Sequence, residues 1–288
     1  MFVNTVVFEI KKALNNKLFL AAVLTGCVIV SISAFENAIG EYIGASEMAQ
    51  REARMGMEYN TGTYMSPFGR WVGVEGYSLS SSILYFVFPF LICIPYGWSY
   101  CVERNSGYEK QVVLRCGKRT YYVAKLIAVF VSGGLTMLIP LVYHFLFLCL
   151  VYPLYRPLSV EMVYLGIFPS NLFSLEFYTH PFVYVALMCL LNFLFCGLLA
   201  CVCLPVTFFV KNRIAVTLVP FAMLLGLRYI QQMFFTSETA GGLEINPMYF
   251  LNGMRATTNG QVVLIELAVL AALTLGPVLI WGKNHEIF

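Results

Sequence analysis

Glu103, Tyr108, Gln111, Val112, Arg115 and Arg119 fall inside one short polar stretch, residues 103–125, which carries six Lys or Arg between two long apolar runs. The stretch is too short to be an enzyme and too well formed to be a plain linker. Ser106-Gly107-Tyr108-Glu109 fits a capping box, in which the serine and glutamate side chains satisfy orphan amides at a helix start. Gly117 can then take the left-handed stop. The spacing predicts a helix over 107–116, with Tyr108, Val112 and Arg115 on one face and Gln111 beside them. Arg115, Lys118 and Arg119 cluster at its carboxyl end, where positive charge suits the helix dipole. An apolar face through Val112, Val113 and Leu114 would lie in water or on the membrane unless a partner covers it. The element therefore reads as a docking helix for a soluble partner. A loop whose charges only fix orientation is the plainer alternative.

Four polar residues sit inside apolar runs: Glu266, Arg228, His144 and Asn192. A charge there costs about 2.5–3.5 kcal/mol on insertion scales, so each is a candidate on a polar path. A Glu266–Arg228 pair would relieve both charges. His144 and Asn192 suit either a substrate path or hydrogen bonds between helices. An intramembrane hydrolase or transferase using Glu266 and His144 is a rival reading, and a non-transporting scaffold or sensor is a third. No phosphate-binding Gly-x-x-x-x-Gly-Lys-Ser/Thr, His-Glu-x-x-His or Gly-x-Ser-x-Gly occurs. His144, His180 and His285 are scattered and make no metal cluster. None of the nine cysteines lies in a predicted outer loop, and Cys201 and Cys203 point apart on a helix, so neither disulfides nor a metal pair is expected. The chain reads as no enzyme by itself and as binding no cofactor.

The elements that must position these residues are membrane helices. Hydrophobic residues make up 59% of the chain and charged ones 11%, against roughly 25% charged in a soluble domain. Six runs approach or exceed the ~20 apolar residues needed to cross the bilayer: about 18–35, 80–100, 124–151, 182–210, 214–235 and 261–282. In lipid the backbone must bond to itself, so these runs are helices, and the expected fold is a single all-α polytopic domain over 1–288. With both termini in the cytoplasm, the inner segments hold Lys11, Lys12, Lys17, Arg104, Lys110, Arg115, Lys118, Arg119, Lys125, Lys211, Arg213 and Lys283. The outer side holds only Arg51, Arg54, Arg70, Arg156, Arg228 and Arg255. The net charge of +3 is thus explained by orientation and implies no nucleic acid. In residues 2–17, Val3, Val6, Val7, Ile10 and Leu14 recur at helical spacing opposite Asn4, Glu9, Lys12 and Asn15. This predicts an amphipathic helix flat on the inner surface, its lysines toward the lipid headgroups. The outer loop 36–79 is smaller than most independent domains. A short helix around Glu47 and Arg51 is plausible within it, and the rest reads as loop.

Six spans, a flat leader and a capped helix in the loop 103–120 between spans two and three resemble the membrane subunits of type-2, exporter-class ABC transporters. Glu103, Gly107, Arg115 or Arg119, and Lys125 fall where such permeases carry a Glu, a glycine, a basic residue and a lysine. Tyr108 departs from their usual threonine. His180-Pro181-Phe182, Lys211-Asn212-Arg213 and Pro220 are similar to permeases of Gram-positive peptide-resistance systems. The resemblance implies a bacterial cell-membrane protein and a separate cytoplasmic ATPase that holds ATP and Mg and docks on the short helix. It also implies a second permease half (a copy or a sister subunit) and export of an amphipathic compound such as an antimicrobial peptide, drug or lipid-like molecule. For residues 236–260 it implies a re-entrant element at the outer face.

Overall fold

The computed structural model describes residues 2–55, 66–76, 78–234, 245–253 and 259–284, and every regular element among them is helical. The chain opens with α1 (Phe2–Leu14) and α2 (Lys17–Met55). A short α3 (Pro67–Arg70) follows, then α4 (Leu79–Leu91), α5 (Ser99–Asn105), α6 (Tyr108–Cys116) and α7 (Lys118–Val151). Beyond it come α8 (Met162–Leu165), α9 (Ser174–Thr179), α10 (Pro181–Cys201), α11 (Cys203–Val206), α12 (Arg213–Phe234), α13 (Pro247–Phe250) and α14 (Gly260–Asn284). Among the described residues, five runs are long and apolar enough to cross a membrane: Lys17–Gly44, Lys118–Val151, Pro181–Val206, Arg213–Phe234 and Gly260–Val278.

The second predicted span, 80–100, is not one helix. At 1.5 Å per residue α4 covers only about 20 Å, less than the roughly 30 Å hydrocarbon core. Residues 92–98 continue as turns before α5 begins. Pro89 and Pro95 remove two backbone donors, which a straight ladder cannot spare. Gly97 then lets the turns close on α11: a Cβ there would lie 2.8 Å from the Cys93 carbonyl and 2.9 Å from Cys203 Sγ. The first predicted span, 18–35, also differs. Its helix runs on to Met55, so the start of the predicted outer loop is a continuation of α2. Of the Glu47–Arg51 pair, Glu47 is exposed and the Arg51 side chain lies outside the described residues. The third span begins earlier than predicted, at Lys118. The fourth breaks at Val202, ahead of Pro205, into α10 and α11.

Helix α7 is the axis of the bundle, with α1, α2 and α10 packed on it. Small residues bring α7 and α10 together, as is common where helices meet in lipid. A Cβ on Gly133 would stand 2.5 Å from the Ala200 Cβ, and one on Gly134 2.6 Å from the Phe193 ring.

Segments predicted as outer loops form a buried cap at the opposite end from α6. Phe68, Trp71 and Val72 are fully buried there; Trp71 Nε1 donates to the Leu141 carbonyl at 2.9 Å, and Phe68 packs on the rings of Phe145 and Phe182. The predicted re-entrant stretch contributes its described part, 245–253, to this cap. Asn246 caps α13 by accepting from Met248 N, while Gly253 N donates to the Gly73 carbonyl at 2.8 Å. Asn171 and Asn252 add side-chain bonds to Gly253 O and Glu75 O. Residues 235–244 and 254–258 lie outside the described part. So does His285.

Candidate functional site

At the α6 end of the bundle, four charged side chains from three helices meet. Helix α1 is rolled so that Glu9 and Ala13 face inward and Val3, Val7 and Phe8 face outward. Lys11 and Lys12 are exposed, but Glu9, grouped with Lys12 on the polar side, turns into the bundle and is 2% exposed. It lies against Lys125 of α7, which is 0% exposed although it sits in an apolar helix. Lys125 Nζ reaches Glu9 Oε2 at 2.8 Å, Glu103 Oε1 at 2.8 Å and the Tyr96 hydroxyl at 3.1 Å. An ammonium has three donors, and all three are used. Lys12 Nζ pairs with Glu103 Oε1 at 2.6 Å, and Tyr96 donates to Glu9 Oε2 at 2.6 Å. Tyr121 donates to the other Glu103 oxygen.

Two carboxylates and two ammoniums make the cluster formally neutral, the condition under which charges tolerate burial. Burial of Glu103 opposes its ionisation, yet the Lys125 charge and hydrogen bonds from Lys12, Lys125 and Tyr121 hold its carboxyl below the ordinary 4.5. Partial burial likewise opposes charge on Lys12, and the Glu103 carboxylate outweighs it, holding the ammonium above the ordinary 10.5. Glu103 is therefore not a docking residue, as its polar setting predicted. It is a buried tie between α5, α1 and α7.

Helix α6 hangs from this cluster by joints of two residues to α5 and one to α7. The predicted capping box does not form. Gly107 occupies the cap position in the left-handed region (φ 74°), Ser106 Oγ donates back to the Glu103 carbonyl, and no side chain caps α6. Glu109 turns inward instead, accepting from Tyr122 at 2.6 Å and Tyr100 at 3.1 Å. With Val113 it forms the buried underside of α6. Helix α6 does end at Gly117, but not in the left-handed stop expected: at φ 82° and ψ 148° the glycine takes an extended positive-φ conformation nearly reserved for it. The outward side carries Tyr108, Gln111, Leu114, Arg115 and, just past the helix, Arg119. Val112 is half-buried, and Leu114, at 71% exposure, holds the open apolar position assigned to it. Lys12 lies 5.1 Å over the Tyr108 ring, so α1 touches this face too. The inner turn around Lys211 closes the same end, where its carbonyl accepts from Asn105 and Arg104 donates to the Thr207 carbonyl.

The four intramembrane candidates are not brought together. His144 is fully buried, with Nδ1 accepting from Val72 N at 3.1 Å; it anchors the cap to α7. Asn192 donates to the Met188 and Leu251 carbonyls and anchors the folded-back stretch. Arg228 stands 5.4 Å over the Tyr249 ring in a recess with Tyr85 and Met248. Glu266 lines a different, apolar cavity, and no ion pair joins it to Arg228 among the described residues. The Glu266–His144 constellation of a hydrolase does not assemble either. Cys201 and Cys203 do point apart, toward the Leu126 and Val216 carbonyls.

Sequence reasoning missed the cluster as a unit. Its signal was faint: an acid three residues ahead of Lys12 in the leader, and a lysine about two turns inside the helix that opens span three.

Long apolar helices bound through small residues, with a fully buried lysine neutralised by two carboxylates, define a multi-pass helical membrane protein. Compared with known proteins, the chain matches no family model, no curated sequence and no solved structure.

Proposed function

We propose that this chain is the permease subunit of an ATP-driven, exporter-class ABC transporter of the bacterial cell membrane, with α6 as the coupling helix on which a separate ATPase docks. In this reading the interrupted stretch 80–100 counts as the second of six spans, and both termini and α6 face the cytoplasm. ATP and Mg belong to the partner. A second permease half completes the pore, and the cargo is amphipathic.

The observation that supports this most is the mounting of α6. Its outward side offers an aromatic ring, an open leucine and fixed cations, while its underside is clamped by Glu109 to α5 and α7. A push on such a foot cannot be absorbed in a floppy loop. It moves the base of α7, and through Lys125 and Glu103 it moves α1 as well. That is the coupling an energy-free membrane subunit needs.

The test is co-purification of the full chain from its native membrane with a subunit that hydrolyses ATP. Tyr108→Ala with Arg115→Glu abolishes it while membrane insertion and thermal stability stay unchanged, since both side chains lie outside the clamp. Full retention of the ATPase by this double variant overturns the docking assignment. Labelling of the half-exposed Cys116 by a membrane-impermeant maleimide on intact cells overturns the orientation.

A further inference from the structure

Between α12 and α14, beneath the folded-back α13, lies a cavity of about 620 Å³. Phe88, Phe195 and Leu251 form its back, and Leu227, Ile230 and Val269 its sides. Glu266 is the one ionisable group that lines it, with no hydrogen bond or ion pair among the described residues. It is the seventh residue of α14, about 10 Å from that helix's start. The cavity therefore lies toward the capped end of the bundle and away from α6, the side on which Pro247 closes it.

We infer that this cavity binds a lipophilic amine: a compact apolar body carrying one ammonium, which meets the Glu266 carboxylate. The volume is that of a drug-sized site, so it takes a small amphiphile whole but only one residue or acyl chain of anything larger. A lone carboxyl in an apolar wall can stay neutral by holding its proton, and an arriving ammonium is the partner that lets it ionise, which selects charge sign as well as greasiness. Arg228, the cation that the sequence offered as a partner for Glu266, lies over Tyr249 in its own recess instead. The inference concerns binding to this chain alone. It stands or falls separately from ATPase docking on α6.

The test uses the full chain in lipid nanodiscs and three probes of one chain length: dodecylamine, dodecanol and dodecanoate. Equilibrium binding ranks the amine first, and Glu266→Gln weakens the amine about tenfold while leaving dodecanol unchanged. Gly226 lines the cavity and faces open space, so Gly226→Trp adds bulk without a clash and blocks the amine while the melting temperature holds. Equal binding of amine and alcohol overturns the inference and leaves an acyl-chain slot. Amine binding that survives Gly226→Trp places the amine elsewhere. A fall in oligomer size with Gly226→Trp, and no amine binding, makes the groove a contact between copies.

Discussion

Lys125→Met removes the centre of the ionic cluster, and its cost can be worked from the contacts. The substitution conserves length and apolar bulk, so lost volume contributes little. What changes is charge: Glu9, Glu103 and Lys12 remain, and the buried group goes from neutral to a net −1. Glu103 still has Lys12 at 2.6 Å and the Tyr121 hydroxyl. Glu9 keeps only the Tyr96 hydroxyl, at 2% exposure. Breaking a buried pair by removing one partner costs about 3–5 kcal/mol, mostly the stranded charge. At about 2–4 °C per kcal/mol for a chain somewhat smaller than this one, the melting temperature falls by about 10 °C. Glu9→Gln with Lys125→Met restores much of that loss, because the stranded charge is gone and the two changes are strongly non-additive. Thermal unfolding of the four proteins of the cycle in one detergent supplies the readout. If Lys125→Met melts within 2 °C of wild type, or the double variant equals the sum of its parents, the cluster is not the neutral, coupled unit described.

The α1–α5 tie is pH-sensitive at both ends of the scale. The lowered Glu103 carboxyl contributes stability above 4.5 that is lost as pH falls through its folded value, and the raised Lys12 contributes below 10.5 and is lost as pH climbs past it. Proteolytic release of α1 therefore rises at both extremes, with Glu103→Gln flattening the acid limb and Lys12→Met the alkaline one. Gly117→Ala meets no neighbour yet costs about 1–3 kcal/mol of backbone strain, read as a lower melting temperature. Gly134→Val forces α7 off the Phe193 ring and destabilises by about 1–3 kcal/mol, whereas Gly226→Ala, in open space, leaves the melting temperature unchanged.

The long helices were readable because a lipid-length apolar run has one backbone solution, so α7, α10, α12 and α14 fall close to their predicted places. The α4–α5 break was less so: Pro89 and Pro95 were visible, but whether a membrane proline kinks or interrupts depends on what fills the gap, here Cys203 beside Gly97. The capping box misled because Ser106 and Glu109 have the right spacing for a local bond, while two tyrosines of neighbouring helices offer Glu109 a buried alternative. The outer cap was illegible as structure. Trp71, His144 and Asn252 hold it through scattered long-range hydrogen bonds that leave no periodic trace. Glu103, expected on the docking surface from its polar setting, lies buried between α5, α1 and α7, where the partners that hold it come from far along the chain.

The order in which the chain is made gives the Glu9–Glu103–Lys125 contact a further meaning. Synthesis delivers both acids before the lysine that neutralises them, so the leader waits at the membrane surface while more than a hundred further residues emerge. Helix α1 thus finds its seat only after the start of α7 has been made. Until α7, the second of the five long helices, threads into the bilayer, the α6 end of the nascent chain is unfinished.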